Sequence, residues 1–459
     1  MTRPLAAIVM AAGKGTRMKS DTPKVLHAIA GEPLLGHVLY TLSRLGPARQ
    51  FVIVGHGAEQ VEAMLPADVT PVLQAEQLGT GHAVDQVTPF LNDFDGTVLI
   101  LSGDVPLLSA RTLETLLARH REEKATLTLL TAVLEDPTGY GRVVRKGAHV
   151  ARIVEHKDAD EDERRLNEVN MGTYVCEWAP LRAALAALTP NNAQGEYYLT
   201  DAIARLVSEG HPVSSYITTD PTECLGINTR GELAKLTAEY NRRTAAHWMV
   251  EGVTIHNPDT TVIGPRVQIG RDTILEPGTI LLGETIVGER CIIGAYSQLR
   301  DATLGSEVEV LNSYLVDSSV GDRTHVGPYA HLRGHARLGD DVRLGNFVEV
   351  KNSTLGDGSK AAHLAYLGDA TVGKKVNIGC GVITVNYDGE KKSPTIIEDG
   401  AFVGSNASLI APLTVHAGGF VAAGSTITED VPADSLAIGR ARQVNKPEWV
   451  LKRRGARKQ

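Results

Sequence analysis

From Val262 to Thr428 an aliphatic residue followed by glycine recurs at a spacing of six, as in Ile263-Gly264, Ile269-Gly270, Val287-Gly288 and Ile293-Gly294. The pattern returns at Val320-Gly321, Val326-Gly327, Leu338-Gly339 and Leu344-Gly345. An amphipathic helix needs apolar residues near every third or fourth position and a half-buried strand every second, so this period fits neither. It predicts a parallel β-helix in which each hexapeptide is one short strand plus a corner, and three close a triangular coil. A single coil cannot bury its aliphatic residues alone, so stacking along the axis supplies the stability.

The first part of the chain has another rhythm. Apolar runs at Ala7–Met10, Phe51–Val54, Thr97–Leu101 and Leu127–Val133 read as strands, with helical patterns such as Leu34–Leu45 and Ala110–Arg121 between them. That alternation predicts a mostly parallel, Rossmann-like sheet covered by helices. Between the two regions, Thr229-Arg-Gly-Glu232 has capping-box spacing, and Leu233, Leu236 and Tyr240 follow at helical intervals toward Trp248. The expected organisation is an α/β domain over 1–229, a linker helix over 230–250 and an all-β domain over 251–459. A helix of about 20 residues is about 30 Å long, so two well-separated sites are expected, without a tunnel between them.

Length and composition agree with this division. A chain of 459 residues exceeds one core. Aromatics are 5 % against 46 glycines, which suits tight corners more than bulky packing. A formal charge of −8 and a pI near 6.0 argue against nucleic acid as a partner. Cys176, Cys224, Cys291 and Cys380 form no C-x-x-C pair, so neither a disulfide framework nor a zinc site is indicated. The run Leu5–Ala12 reads as a buried strand entering a glycine-rich loop rather than a signal peptide, and no apolar segment is long enough to span a bilayer. A membrane partner is not expected, and the cytoplasm is the expected compartment.

Ligands bind such sheets beyond the carboxyl ends of the strands, and two of those ends are chemically loaded. After the first strand come Gly13-Lys14-Gly15, Arg17 and Lys24. Small residues let backbone N–H groups approach phosphate oxygens, and the cations neutralise their charge. An ordinary turn explains Gly13-Lys14-Gly15 taken alone; the three cations together favour phosphate. After the strand Thr97–Leu101 comes Ser102-Gly103-Asp104-Val105-Pro106. Asp104 can hold a divalent cation against phosphate oxygens, or act only as the N-cap of the next helix.

In the repeat, Arg333 and Lys351 take the place of glycine after Leu332 and Val350, three hexapeptides apart. Stacked strands lie about 4.8 Å apart, so like charges there repel. Either an anion lies between them or both splay into solvent. The register breaks after Lys351, and the segment Asn386–Lys392 interrupts the ladder. Insertions in solenoids emerge as loops on one face. The break coincides with a polar cluster of His363, Tyr366, Asn377, Asn386 and Tyr387, and a histidine there can accept a proton near neutral pH.

The motifs Ala11-Ala-Gly-Lys-Gly-Thr-Arg-Met18, Pro23-Lys-Val-Leu-His27, Gln74-Ala-Glu-Gln-Leu-Gly-Thr-Gly-His-Ala83 and Gly103-Asp-Val-Pro-Leu107 resemble those of the sugar-nucleotide pyrophosphorylases. With the hexapeptide array behind them, nearly the whole chain resembles the family of bifunctional N-acetylglucosamine-1-phosphate uridyltransferases / glucosamine-1-phosphate N-acetyltransferases. The resemblance implies acetyl transfer from acetyl-CoA to glucosamine 1-phosphate, then uridylyl transfer from UTP to N-acetylglucosamine 1-phosphate with release of pyrophosphate. The product would be UDP-N-acetylglucosamine for peptidoglycan and lipopolysaccharide synthesis.

The resemblance also implies roles. Met10, Ala11, Ala12 and Gly13 would line the nucleotide, Arg17 and Lys24 would bind phosphates, and Gln74, Gly79 and Thr80 would read uracil. Ser102, Gly103, Asp104, Gly141, Glu155 and Asn170 would surround ribose and sugar, while Asp104 and Asn228 would hold Mg2+. In the β-helix, left-handed and trimeric in the family, Arg333 and Lys351 would grip the sugar phosphate and His363 would be general base. Tyr366, Asn377, Asn386 and Tyr387 would orient substrate and acetyl donor; Cys380, Ser405, Ala423 and Arg440 would line acetyl-CoA. Met10, Ser102, Met171 and Cys380 depart from the usual leucine, tyrosine, threonine and alanine, and Cys380 either makes its edge thiol-sensitive or packs as a small apolar group. The basic segment Lys452–Arg454 with Arg457 and Lys458 reads as a solvated end or a contact to coenzyme phosphates.

Overall fold

The computed structural model describes residues 3–455, so Arg457 and Lys458 lie outside it. The chain divides between Tyr240 and Asn241 into two compact units.

In the first unit, strands β1 (Leu5–Met10), β2 (Arg49–Val54), β3 (Val69–Leu73), β4 (Thr97–Ser102) and β5 (Leu127–Val133) are followed by the hairpin β6 (Arg142–Lys146) and β7 (His149–Val154). Then come β8 (Glu168–Glu177) and β9 (Val213–Ile217). The sheet order is β9-β5-β8-β4-β1-β2-β3, with β6 joining at β8. All neighbours along this path are parallel except β8, which runs antiparallel to β4 and β5. Alternation along β1 feeds two cores: Ala6 and Ile8 face one layer, Ala7 and Val9 the other. A strand buried on both faces has no polar side, which is why β1 reads as a continuous apolar run. Met10 pairs Ser102 in register, so the loops after β1 and β4 leave the sheet side by side.

The predicted joining helix, α1, spans Arg230–Val250. Its capping box forms: Glu232 N donates to Thr229 Oγ1 at 3.2 Å, and Thr229 N donates to Glu232 Oε2 at 3.0 Å. Its early turns pack on the first unit, with Tyr240 edge-on to His37 at 5.0 Å between ring centroids. Ala245 and Trp248, beyond the boundary, belong to the core of the second unit.

The second unit is a parallel β-helix. Leu281, Leu299, Leu315, Leu332, Val350 and Leu367 pair coil to coil in one column, each at most 1 % exposed. Each such burial is worth about 1.5–3 kcal/mol, and the column exists only because the coils stack. The register is less regular than the hexapeptide count predicts. Early partners lie 18 positions apart, as Ile280 and Gln298 do, but Ile286 pairs Thr303, 17 on, and Gln298 pairs Tyr314, 16 on. The first slip therefore falls well before Lys351. Polar residues in left-handed backbone, such as Asp301, Asn312 and Asp317, turn these shortened corners. The expected loop is present: Ala370 pairs Thr395, 25 positions on, whereas Thr395 pairs Leu413, 18 on. No described helix is long and apolar enough to cross a membrane.

Candidate active sites

Beyond the carboxyl ends of β1, β3 and β4 lies a cleft of about 290 Å³. Of the residues singled out above, Met10, Ala11, Ala12, Gly13, Lys24, Gln74, Gly79, Thr80, Ser102 and Asp104 line it. A side chain at Gly13 would meet nothing within 4 Å, so the loop leaves open room above it. Gly15 is different. Its backbone is left-handed, at φ 57°, and a Cβ would stand 2.7 Å from the Lys24 Cβ, so glycine is what lets Lys24 pass. The Lys24 ammonium then forms a salt bridge with Asp104, both side chains more than four-fifths buried, and donates to Asn228 Oδ1 at 3.1 Å.

Asp104 and Asn228 thus converge on one point, and the ammonium stands where their oxygens would face a metal ion. A carboxylate and an amide oxygen are the hard donors that magnesium takes, with water and phosphate filling the remaining positions, so the residues present fit such an ion. Asn228 is held there by the start of α1, its N–H donating to Glu232 Oε2 at 2.6 Å.

Gly103, Gly141, Glu155 and Asn170 are not among the residues lining that cleft. Gly103 N donates to Met10 O at 2.9 Å, and Asn170 N to Gly141 O at 2.9 Å. Glu155 stands beside Gly141, accepts from Thr200 Oγ1 at 3.1 Å, and burial pushes its carboxyl above the usual range. Gly141, Glu155 and Asn170 form a second cluster at the hairpin and β8, whereas Gly103 stays with the loop after β4. Arg17 stays exposed on the short turn Thr16–Met18, outside the cleft lining.

In the β-helix Arg333 and Lys351 are direct strand partners, as the spacing predicts. An anion does accompany Arg333: its Nε lies 2.8 Å and its Nη2 2.6 Å from Glu349 Oε1. Glu349 was missed in the sequence, although its alternation with Lys351 in one strand signals it. Tyr366 pairs Glu349 on the same face. His363 lies around the adjoining corner, where Asn346 is its strand partner and the Asn346 Oδ1 to His363 Nδ1 distance is 2.9 Å.

His363, Cys380, Ser405 and Ala423 each immediately precede a left-handed corner residue, respectively Leu364, Gly381, Asn406 and Gly424. They therefore form a column running up one corner, with Arg440 beside Gly424 at its upper end. Cys380, Ser405, Ala423 and Arg440 are all exposed. Asn377 pairs Phe402, away from this column. Asn386 donates to Asp369, and the Tyr387 hydroxyl to Gly389 O. All four cysteines are free, and only Cys380 among them is exposed.

Comparison with known proteins agrees with both halves. The nucleotidyl transferase family model matches residues 6–248, and the bacterial transferase hexapeptide model matches 266–301 and 317–352. Proteins described as "Bifunctional protein GlmU" match along nearly the whole chain. That of Exiguobacterium sibiricum is 51 % identical, covering 96 % of this chain and 99 % of its own. That of Geobacillus thermodenitrificans is 50 % identical over 98 % and 99 %, and that of Halalkalibacterium halodurans 50 % identical over 97 % and 98 %. A nucleotidyltransferase unit joined to a left-handed hexapeptide β-helix, with this extent of identity, places the chain in the family of bifunctional GlmU enzymes.

Proposed function

We propose that the β-helix acetylates the amine of glucosamine 1-phosphate from acetyl-CoA, and that the α/β unit then joins the N-acetylated sugar phosphate to UTP with release of pyrophosphate. The observation that supports the second step best is that Lys24 and Asp104, in a cleft walled by Met10–Gly13, converge with Asn228. Positioning and charge neutralisation, rather than covalent chemistry by the protein, are what such a transfer needs. The Lys24 ammonium and Arg17 meet the triphosphate, Gln74, Gly79 and Thr80 face the base, and the cluster of Gly141, Glu155 and Asn170 holds the sugar. Asp104 and Asn228 hold Mg2+, which when bound neutralises developing charge on the phosphates.

In the acetyl transfer, Arg333 and Lys351 grip the sugar phosphate and His363 takes the proton. With Asn346 Oδ1 accepting from its Nδ1–H, the His363 Nε2 lone pair is left for the amine. The amine nitrogen forms a bond to the thioester carbonyl carbon, the carbon–sulfur bond breaks, and the thiolate leaves, taking up as thiol the proton that His363 removed from the amine. Tyr366, Asn377, Asn386 and Tyr387 orient the reactants, and Cys380, Ser405, Ala423 and Arg440 line the donor. Those four are exposed on one chain, which favours a trimer in which an adjacent copy closes the donor site. The reading takes 1–229 and 251–459 as the two catalytic domains, joined by 230–250 and acting in the cytoplasm. A mass balance with glucosamine 1-phosphate, acetyl-CoA, UTP and magnesium tests it, each reagent being omitted in turn. Omitting UTP or magnesium should leave thiol release intact, and omitting acetyl-CoA should abolish UDP-sugar unless N-acetylglucosamine 1-phosphate is supplied.

A further inference from the structure

Gln74, just past the end of β3, is 3 % exposed yet lines the nucleotide cleft. Its Nε2 lies 3.1 Å from Gly79 O and 3.1 Å from His82 Nδ1. A peptide carbonyl can only accept, so the carboxamide atom facing Gly79 has to be the nitrogen. Gly79 is itself fixed. Its φ is 113°, and a Cβ there would stand 2.6 Å from Tyr197 O, so its carbonyl direction cannot drift with substitution. One N–H of Gln74 goes to that carbonyl and the other to His82, whose Nδ1 must then be the unprotonated ring nitrogen. Neither of these bonds uses Oε1, and no described residue bonds to it, so the oxygen is what the side chain has left to offer to a ligand.

We propose that His82 is a positioning residue for base selection: by taking the second N–H of Gln74 it leaves only an acceptor oxygen for the base, so the cleft admits a pyrimidine with an imide N–H and rejects cytosine. Uracil and thymine carry that donor, whereas the corresponding cytosine ring nitrogen is an acceptor and would face oxygen with no proton between them. This rests on the reading of the cleft as the nucleotide site. It adds a residue that touches no ligand, and it predicts that uracil and thymine nucleotides are not told apart at this atom.

The test compares kcat/KM for UTP, dTTP and CTP in the full chain, by pyrophosphate release with N-acetylglucosamine 1-phosphate. His82→Phe keeps a ring beside Tyr197, 6.3 Å away between centroids, but removes the acceptor. Gly79 still disfavours the flipped amide, so the loss is that of one hydrogen bond, about tenfold in the UTP/CTP ratio. The change should fall on the UTP KM more than on kcat and leave the UTP/dTTP ratio unmoved. His82→Asn, which can offer an amide oxygen near the Nδ1 position, should recover the ratio to within about threefold. Gln74→Met separates the two layers of the argument. If it leaves the UTP/CTP ratio unchanged, Gln74 does not meet the base, and the nucleotide reading of this edge falls. If it collapses the ratio while His82→Phe lowers both nucleotides equally or neither, base reading by Gln74 stands and the role of His82 is overturned.

Discussion

The two units build sites in opposite ways. In the α/β unit, residues distant in sequence meet beside a cleft: Lys24, Asp104 and Asn228 converge from separate segments, Lys24 passing over Gly15 and Asn228 held by Glu232. In the β-helix the chemistry is arrayed by register, with His363, Cys380, Ser405 and Ala423 repeating one corner position in successive coils and remaining on the surface. A sheet with helices on both faces closes a pocket within one chain. A solenoid presents columns on its surface, so the two halves should respond differently to the same kinds of perturbation.

The largest expected contrast is chemical. His363→Ala should lower thiol release by about 10²–10⁴-fold while pyrophosphate release from preformed N-acetylglucosamine 1-phosphate stays within about twofold. Equal loss of both would merge the sites that the comparison separates. Lys24→Ala should do the reverse, lowering pyrophosphate release by about 10²–10³-fold and leaving thiol release intact. Chelating divalent metal should follow Lys24→Ala in direction, stopping uridylyl transfer and sparing acetyl transfer.

A smaller contrast is mechanical. Leu332 is 0 % exposed in the stacked column, and Leu332→Ala should cost about 2–5 kcal/mol. The loss should appear in an unfolding transition of the β-helix, read by thermal denaturation beside uridylyl activity, which should outlast acetyl transfer on heating.

The smallest is electrostatic, and its sign differs between the units. Burial raises Glu155 above its ordinary 4.5, so the folded α/β unit loses stability as pH rises from there through the raised folded value. Glu155→Gln should flatten that slope. In the β-helix the Lys374 ammonium, through a hydrogen bond, holds Asp357 below its ordinary 3.8. That contribution is fully present above 3.8 and is lost as pH falls through the depressed value. Lys374→Met should reduce it, leaving the smaller part that the Asp340 N–H supplies, as an acid titration followed by circular dichroism would show.

Much of this was legible in the sequence where chemistry and position coincide. Met10–Lys24 and Ser102–Asp104 were recognisable because a charged or small residue directly follows an apolar strand, and the sheet brings those ends together through the Met10–Ser102 pairing. Arg333 and Lys351 were recognisable because their spacing is a whole coil of 18. His363 was recognisable at the break in the repeat, but its pairing with Asn346 was not, since the two are partners across a coil of 17, which a fixed hexapeptide count never aligns. Glu349 was hidden because it stands two residues before Lys351, outside the slot that follows each aliphatic residue. His82 lies within the motif that begins at Gln74, but no role for it was legible, because a hydrogen bond to another side chain is something no spacing rule encodes. The grouping of Glu155, Gly141 and Asn170 apart from the phosphate loop likewise depends on the hairpin β6–β7, whose docking on β8 is a long-range event.

On the proposed reading, two sites that act independently of each other share one chain and pass a freely released intermediate. It is tested most directly by mixing His363→Ala and Asp104→Ala chains with glucosamine 1-phosphate, acetyl-CoA, UTP and magnesium, and measuring UDP-N-acetylglucosamine. Either variant alone should make almost none, and the mixture should recover a large share of the wild-type yield. A mixture that stays inactive, while each variant still performs its remaining half-reaction, would contradict the account.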